Sequence, residues 1–140
     1  MVSEHIARVI IEEGGEFTHG MTYAGHPAAC AVAAANIRIL RDEGIIDRVR
    51  TETGPYLQQR WAELADHPLV GEVRGLGFLG ALEIVADKDT RAQFEPSGTT
   101  GPLCRDIAAN LGLVMRAVGD SMNISPPLIM SNEENEEPVS

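Results

Sequence analysis

Residues 19–27 read His19-Gly20-Met21-Thr22-Tyr23-Ala24-Gly25-His26-Pro27 and lead straight into the alanine-rich run Ala28–Ala35. This junction constrains the fold more than any other stretch. Pro27 suits the first position of a helix, where its missing N–H removes a donor that would have had no partner inside the helix. Strong helix formers carry the expected helix on to Arg41, and Gly44 supplies its stop. Ahead of it, Gly20 and Gly25 let the backbone turn tightly and come close to a ligand. Thr22 offers a hydroxyl and an N–H, and the helix start adds partial positive charge. An anion, most simply a phosphate, can be held by such a surface. The same residues also suit an ordinary loop-to-helix connection in which the glycines serve only the turn.

Composition narrows the partners. The 140 residues carry a net charge of −10. No basic stripe exists to neutralise nucleic-acid phosphates, and no polybasic segment to meet an anionic membrane. Residues 131–140 are an acidic stretch, expected to be disordered. The longest apolar run is far short of the ~20 residues a membrane span needs, and the N-terminus lacks the pattern of a signal peptide. Cys30 and Cys104, far apart on helical segments, read as buried small hydrophobes in a reducing compartment. The expected location is cytoplasmic.

Along the chain, Ile6, Val9 and Ile10 at 3–4 spacing behind Ser3 predict a short helix over 3–13. A later helix is expected over 46–64, with Ile46, Val49, Leu57, Trp61 and Leu64 on one face and a kink at Gly54-Pro55. Strands are expected at 70–74 and 78–85, a helix at 102–110, and a strand pair, 113–116 with 122–124, around Val118-Gly119-Asp120. The organisation this implies is a helical segment, 1–66, a small α+β domain, 67–130, and the tail 131–140.

Few residues offer chemistry. His19, His26 and Cys30 do not match a standard zinc spacing, and no fourth ligand is evident. His26 is better read as capping the loop before Pro27, and no metal site is expected. Arg116 ends an apolar strand and needs a partner. That partner is either a structural carboxylate, Asp120 or Glu83, or the carboxylate of a substrate, which a guanidinium grips with two parallel bonds. Arg74, between Val73 and Gly75, reads more simply as a structural anchor for a neighbouring loop. Lys88, the single lysine, sits in a turn between Asp87 and Asp89.

Three motifs stand in order: residues 19–27, Gly71-Glu72-Val73-Arg74-Gly75-Leu76-Gly77, and Leu113-Val114-Met115-Arg116-Ala117-Val118-Gly119-Asp120 followed by Ser125-Pro126-Pro127-Leu128. Together they resemble the class III aminotransferases, over roughly residues 1–130. Within that family the chain is most similar to omega-amino acid or putrescine–pyruvate transaminases. The resemblance implies an α/β protein, the C-terminal portion of a type I pyridoxal-phosphate transferase fold with an α+β small domain. It implies pyridoxal 5'-phosphate as cofactor, held by Thr22 with Gly20 and Met21 across a dimer interface, and Arg116 as the mobile arginine that pairs with a substrate carboxylate. It also implies partners: the remainder of a transaminase chain, a second subunit, and a small amine and keto acid. The family's Schiff-base lysine, the aspartate against the pyridine nitrogen and the N-terminal phosphate cradle have no counterpart in these residues, and Lys88 lies in the wrong place to substitute. No catalytic residue is therefore assigned, and the expectation is a C-terminal fragment inactive alone. Two other readings stay open: a non-catalytic interaction module, signalled by an uncovered helix 28–41, and one half of a split enzyme.

Overall fold

A computed structural model describes residues 2–15 and 20–134. The chain divides into two compact units, Met1–Arg38 and Ile39–Ser140. In the first unit, α1 (Glu4–Glu12) starts where expected: the Ser3 hydroxyl accepts the Ile6 N–H at 3.4 Å, and Glu4 sits in the first turn. Gly14 and Gly15 end it, the latter with φ +68°. Helix α2 (Pro27–Asp42) begins at Pro27 and gives way to Gly44, whose φ of +62° leaves the helical region. No residue of either helix is buried. Cys30 is therefore exposed rather than a core hydrophobe, because among the described residues nothing buries any residue of its helix; Cys104 is half-buried, and both thiols are free.

The second unit holds the core. Helix α3 (Ile45–Arg48) runs into a π-helical turn, Val49–Thr53, and then α4 (Gly54–Glu63), closed by a 3₁₀ turn at Leu64–Asp66. The expected kink at Gly54-Pro55 takes this form. Pro55 has no N–H to give and its ring collides with the carbonyl four residues back, so the helix inserts one extra residue. The Gly54 N–H reaches back to the Val49 carbonyl. A Cβ on Gly54 would lie 2.2 Å from that oxygen, so only glycine fits. The extra residue also changes the buried face. Val49, Leu57 and Trp61 are buried as their spacing predicts, but Ile45 replaces Ile46, which is half exposed.

The sheet is four antiparallel strands in the order β1-β2-β4-β3: β1 (Val70–Leu76), β2 (Leu79–Ile84), β3 (Arg116–Val118) and β4 (Ser121–Ile124). Alternation along β2 and β4 sends Leu82, Ile84, Met122 and Ile124 to one face, where they join Leu57 and Trp61 in the core. Trp61 is 1% exposed, and its ring N–H donates to the Ala81 carbonyl at 3.4 Å. Between β2 and β3 lies α5 (Thr100–Asn110). Residues 113–115 are not part of the last strand pair. A two-residue turn at Gly119-Asp120 pairs Val118 with Ser121, and β3 extends only as far back as Arg116, opposite Asn123.

Candidate functional site

Two exposed places among the described residues bear on function. The first is the turn before α2. The Ala24 N–H donates to the Met21 carbonyl at 2.9 Å and the His26 N–H to the Tyr23 carbonyl at 3.2 Å, so two tight turns follow one another. Gly25, at φ +73°, makes the second possible. His26 caps the start of α2 itself: its ring Nδ1 accepts the Ala29 N–H at 3.4 Å and its carbonyl accepts the Cys30 N–H at 2.9 Å. With Pro27 lacking an N–H, the helix start is thus largely satisfied by its own residues. The free donors lie earlier. Among the described residues, the N–H groups of Met21, Thr22 and Tyr23 and the Thr22 hydroxyl have no partner. Every residue from Gly20 to His26 is exposed, and nothing lies within 4 Å of where a Cβ on Gly20 or Gly25 would stand. Successive backbone N–H groups plus a hydroxyl on an open turn are a donor set that suits a phosphate. His19 lies outside the described residues.

The second place is the sheet face opposite the core. Arg74, Leu79, Ala81, Arg116, Ser121 and Asn123 are among the residues lining an open concavity of about 930 Å³ there. Its two arginines differ. Arg74 pairs across the strands with Glu83 at 3.0 Å and along its own strand with Glu72 at 3.3 Å. It anchors a neighbouring strand, where the sequence suggested a loop. Arg116 is exposed and has no ion pair among the described residues. Both structural partners offered for it are engaged elsewhere. Glu83 belongs to Arg74. Asp120 accepts three backbone N–H groups, from Gly98 at 2.7 Å and from Thr100 and Gly101 at 2.9 Å each. Those bonds, with the one from Gly101 foremost, hold the Asp120 carboxyl below its ordinary range. Asp120 thereby caps α5 from a distance and ties it to the β3–β4 turn. Asp120 thus serves a different task from the Arg116 pairing its position in the sequence suggests, and Asn123 stands on the same hairpin opposite Arg116. The signal for both was the hairpin register set by Gly119-Asp120.

Lys88 is not held by its flanking carboxylates. Its ammonium donates to the Ala65 carbonyl, while Asp87 accepts the Thr90 N–H and hydroxyl at 2.8 Å each. Among the described residues no group of three or more His, Cys, Asp or Glu is arranged to hold a metal ion, and no helix is long and apolar enough to cross a membrane.

The family model described as aminotransferase class-III matches residues 1–140. A putrescine–pyruvate aminotransferase of Pseudomonas aeruginosa is 58% identical over 128 residues, covering 91% of this chain and 28% of that protein. A diaminobutyrate–2-oxoglutarate transaminase of Halomonas elongata is 40% identical over 145 residues, covering 99% of this chain and 31% of the relative. Among solved structures, the omega transaminase of Pseudomonas jessenii in complex with PMP superposes with a TM-score of 0.80 at 36% identity, over 97% of this chain and 30% of that one. The chain thus spans under a third of the length of these relatives.

Proposed function

The chain belongs to the class III aminotransferases, and from that premise we propose that it serves a pyridoxal-phosphate-dependent transaminase by gripping the cofactor's phosphate and the substrate's carboxylate. The observation that carries the reading is the donor set of the turn: the Thr22 hydroxyl and the N–H groups of Met21, Thr22 and Tyr23, all unpartnered within the described residues. Thr22, with Gly20 and Met21 beside it, holds the phosphate presented by a second subunit. Arg116 pairs with the carboxylate of a keto acid such as pyruvate or of an omega-amino acid, and yields the space when the donor is an uncharged amine. When bound, pyridoxal phosphate supplies the carbonyl that takes up the amino group and the ring that stabilises negative charge at the substrate carbon. The lysine that carries the cofactor is supplied by other residues, because Lys88 sits on the Ala65 carbonyl in a turn. By itself the chain is inactive, and its working location is cytoplasmic.

The uncovered α2 supports association with another polypeptide. Val32 and Ile37 are 69% and 66% exposed, and a helix with no buried residue leaves apolar surface for a partner. The remainder of a transaminase chain and a second subunit are the partners this reading names.

The test is cofactor retention followed by gel filtration. Alone, the chain is expected to lose added pyridoxal phosphate. Co-expressed with a lysine-bearing N-terminal portion of a class III transaminase, it is expected to retain the cofactor and transfer amino groups to pyruvate. Thr22→Ala should then weaken retention about tenfold, the loss of one hydrogen bond to a charged group. Stoichiometric, lysine-bound cofactor on the chain alone would overturn the reading, as would unchanged retention in Thr22→Ala.

A further inference from the structure

On the sheet face away from the core, strand pairing sets side chains in neighbouring rows. One row is Arg74, Ala81, Asn123 and Arg116, with an arginine at each end, and all four residues line the open concavity. The next row begins with Glu72 directly opposite Glu83. The two arginines stand three strand spacings apart, about 14 Å at the backbone. Two such long side chains leaning in over Ala81 would bring their guanidiniums within reach of both ends of a short dicarboxylate. Only one of them is available among the described residues. Arg74 is tied to the neighbouring row by Glu83 at 3.0 Å and Glu72 at 3.3 Å, and neither glutamate lines the concavity. Arg116 has no ion pair. Arg74 is also needed where it is. Like charges directly opposite in a ladder repel, and Arg74 is the cation that bridges this glutamate pair, whereas Arg91 reaches Glu72, at 3.6 Å. A ligand that drew Arg74 into the concavity would break two ion pairs and leave Glu83 facing Glu72 without that bridge.

We infer that Glu83, with Glu72, is a specificity-determining residue of this face: it keeps Arg74 occupied, so that the concavity offers one free guanidinium, Arg116, and favours a monocarboxylate over a dicarboxylate. This rests on the carboxylate-binding reading of Arg116 and adds which class of acid that arginine takes. A second carboxylate entering at the Arg74 end must displace Glu83 and then lie beside two negative charges. Half-exposed ion pairs of this kind are individually weak, so the preference is several-fold rather than absolute. Neutral amides at both positions would release Arg74 and remove the repulsion together, turning a one-arginine face into a two-arginine face.

The test is protection of each arginine from phenylglyoxal, read by peptide mass spectrometry on the full chain, with butyrate or glutarate present at equal ionic strength. In the wild type the two acids should protect Arg116 to within about twofold of each other and leave Arg74 unprotected, because the Arg74 end is closed to a second carboxylate. In Glu72→Gln/Glu83→Gln, glutarate should protect Arg116 about fivefold better than butyrate, the scale of the two weak ion pairs no longer opposing it, and should newly protect Arg74. A purely structural part for the glutamates would change protection by both acids alike and leave their ratio where it was. The same glutarate-to-butyrate ratio in wild type and double variant, or a fivefold preference for glutarate already in the wild type, would overturn the inference. Should the double variant not fold, Glu83→Gln decides alone: a ratio raised about twofold, for the one pair removed, supports the inference and an unchanged ratio overturns it. Absence of any protection of wild-type Arg116 by butyrate removes the carboxylate role of that arginine. The masking of Arg74 is then judged at Arg74 itself, where protection by glutarate gained in the double variant upholds it and continued lack of protection overturns it.

Discussion

The turn at residues 20–26 and the β3–β4 hairpin both present unsatisfied donors, but they come by them in different ways. In the turn the donors are free because the local backbone uses its hydrogen bonds elsewhere: His26 serves the helix start, and Thr22 is exposed among the described residues. At the hairpin, Arg116 has no ion pair among the described residues, and tertiary packing has committed the two carboxylates the sequence offered it, Glu83 to Arg74 and Asp120 to three amides. One site is written into nine consecutive residues. The other exists only once four strands and a helix have assembled. Mutations far from Arg116 in sequence should therefore damage the second site, whereas only local changes should alter the first.

The largest expected effect comes from the core beneath the sheet. Trp61→Ala should cost about 3–5 kcal/mol, the range for removing a buried aromatic, read as a drop in the urea midpoint. The Arg116 concavity should disappear with the sheet. An unshifted midpoint would mean that the sheet does not depend on that core. Next comes the joint between α5 and the hairpin. Asp120→Ala strips the acceptor from three part-buried amides and should cost about 1 kcal/mol, the low end of the scale for leaving donors unsatisfied. The variant should also lose a pH dependence. Because the Asp120 carboxyl titrates below its ordinary value of 3.8 when folded, its contribution is complete above that value. It drains away as the pH falls through the lower folded value. Wild type and Asp120→Ala should thus differ in stability at neutral pH and converge in strong acid, which paired urea melts at several pH values would show. A difference that persists undiminished into strong acid would contradict the assignment.

In the turn, Thr22→Ala should leave folding stability within about 0.5 kcal/mol, as an exposed substitution does, while changing phosphate retention in the assembled enzyme. A large stability loss would mean that Thr22 is structural, and the contrast between the two regions would fail. The smallest effect is chemical. Burial pushes the Cys104 thiol above its ordinary value, whereas Cys30 is exposed. Iodoacetamide should therefore label Cys30 faster than Cys104 near neutral pH, since the thiolate is the reactive form. Faster labelling of Cys104 would place Cys30 under cover.

Local signals were legible where a single residue type fixes the local backbone. Ser3 capped α1, Pro27 opened α2, Gly44 closed it, and Gly54-Pro55 disrupted the helix that contains it. The errors arose where the outcome depends on count or cover. The π-turn's one extra residue moved Ile45 inward and Ile46 outward, and periodicity cannot anticipate an insertion of one. Cys30 looked like core because its neighbours are small and apolar, but burial needs something on the other side. The first strand of the last hairpin is expected at 113–116 but lies at 116–118, because Leu113, Val114 and Met115 have strand-like side chains without a strand to pair with.

By itself the sequence determined where helices start and stop, the turn that carries Thr22, and the family to which the motifs point. These follow from the φ restrictions of proline and glycine and from side chains bonding to backbone within a few residues, and so need no distant partner. Tertiary structure alone decided which carboxylate meets which cation, and hence that Arg116 is left available with Asn123 across from it. Ion pairs between strands depend on register and sheet order, and those emerge only when residues 70–84 and 116–124 are brought side by side.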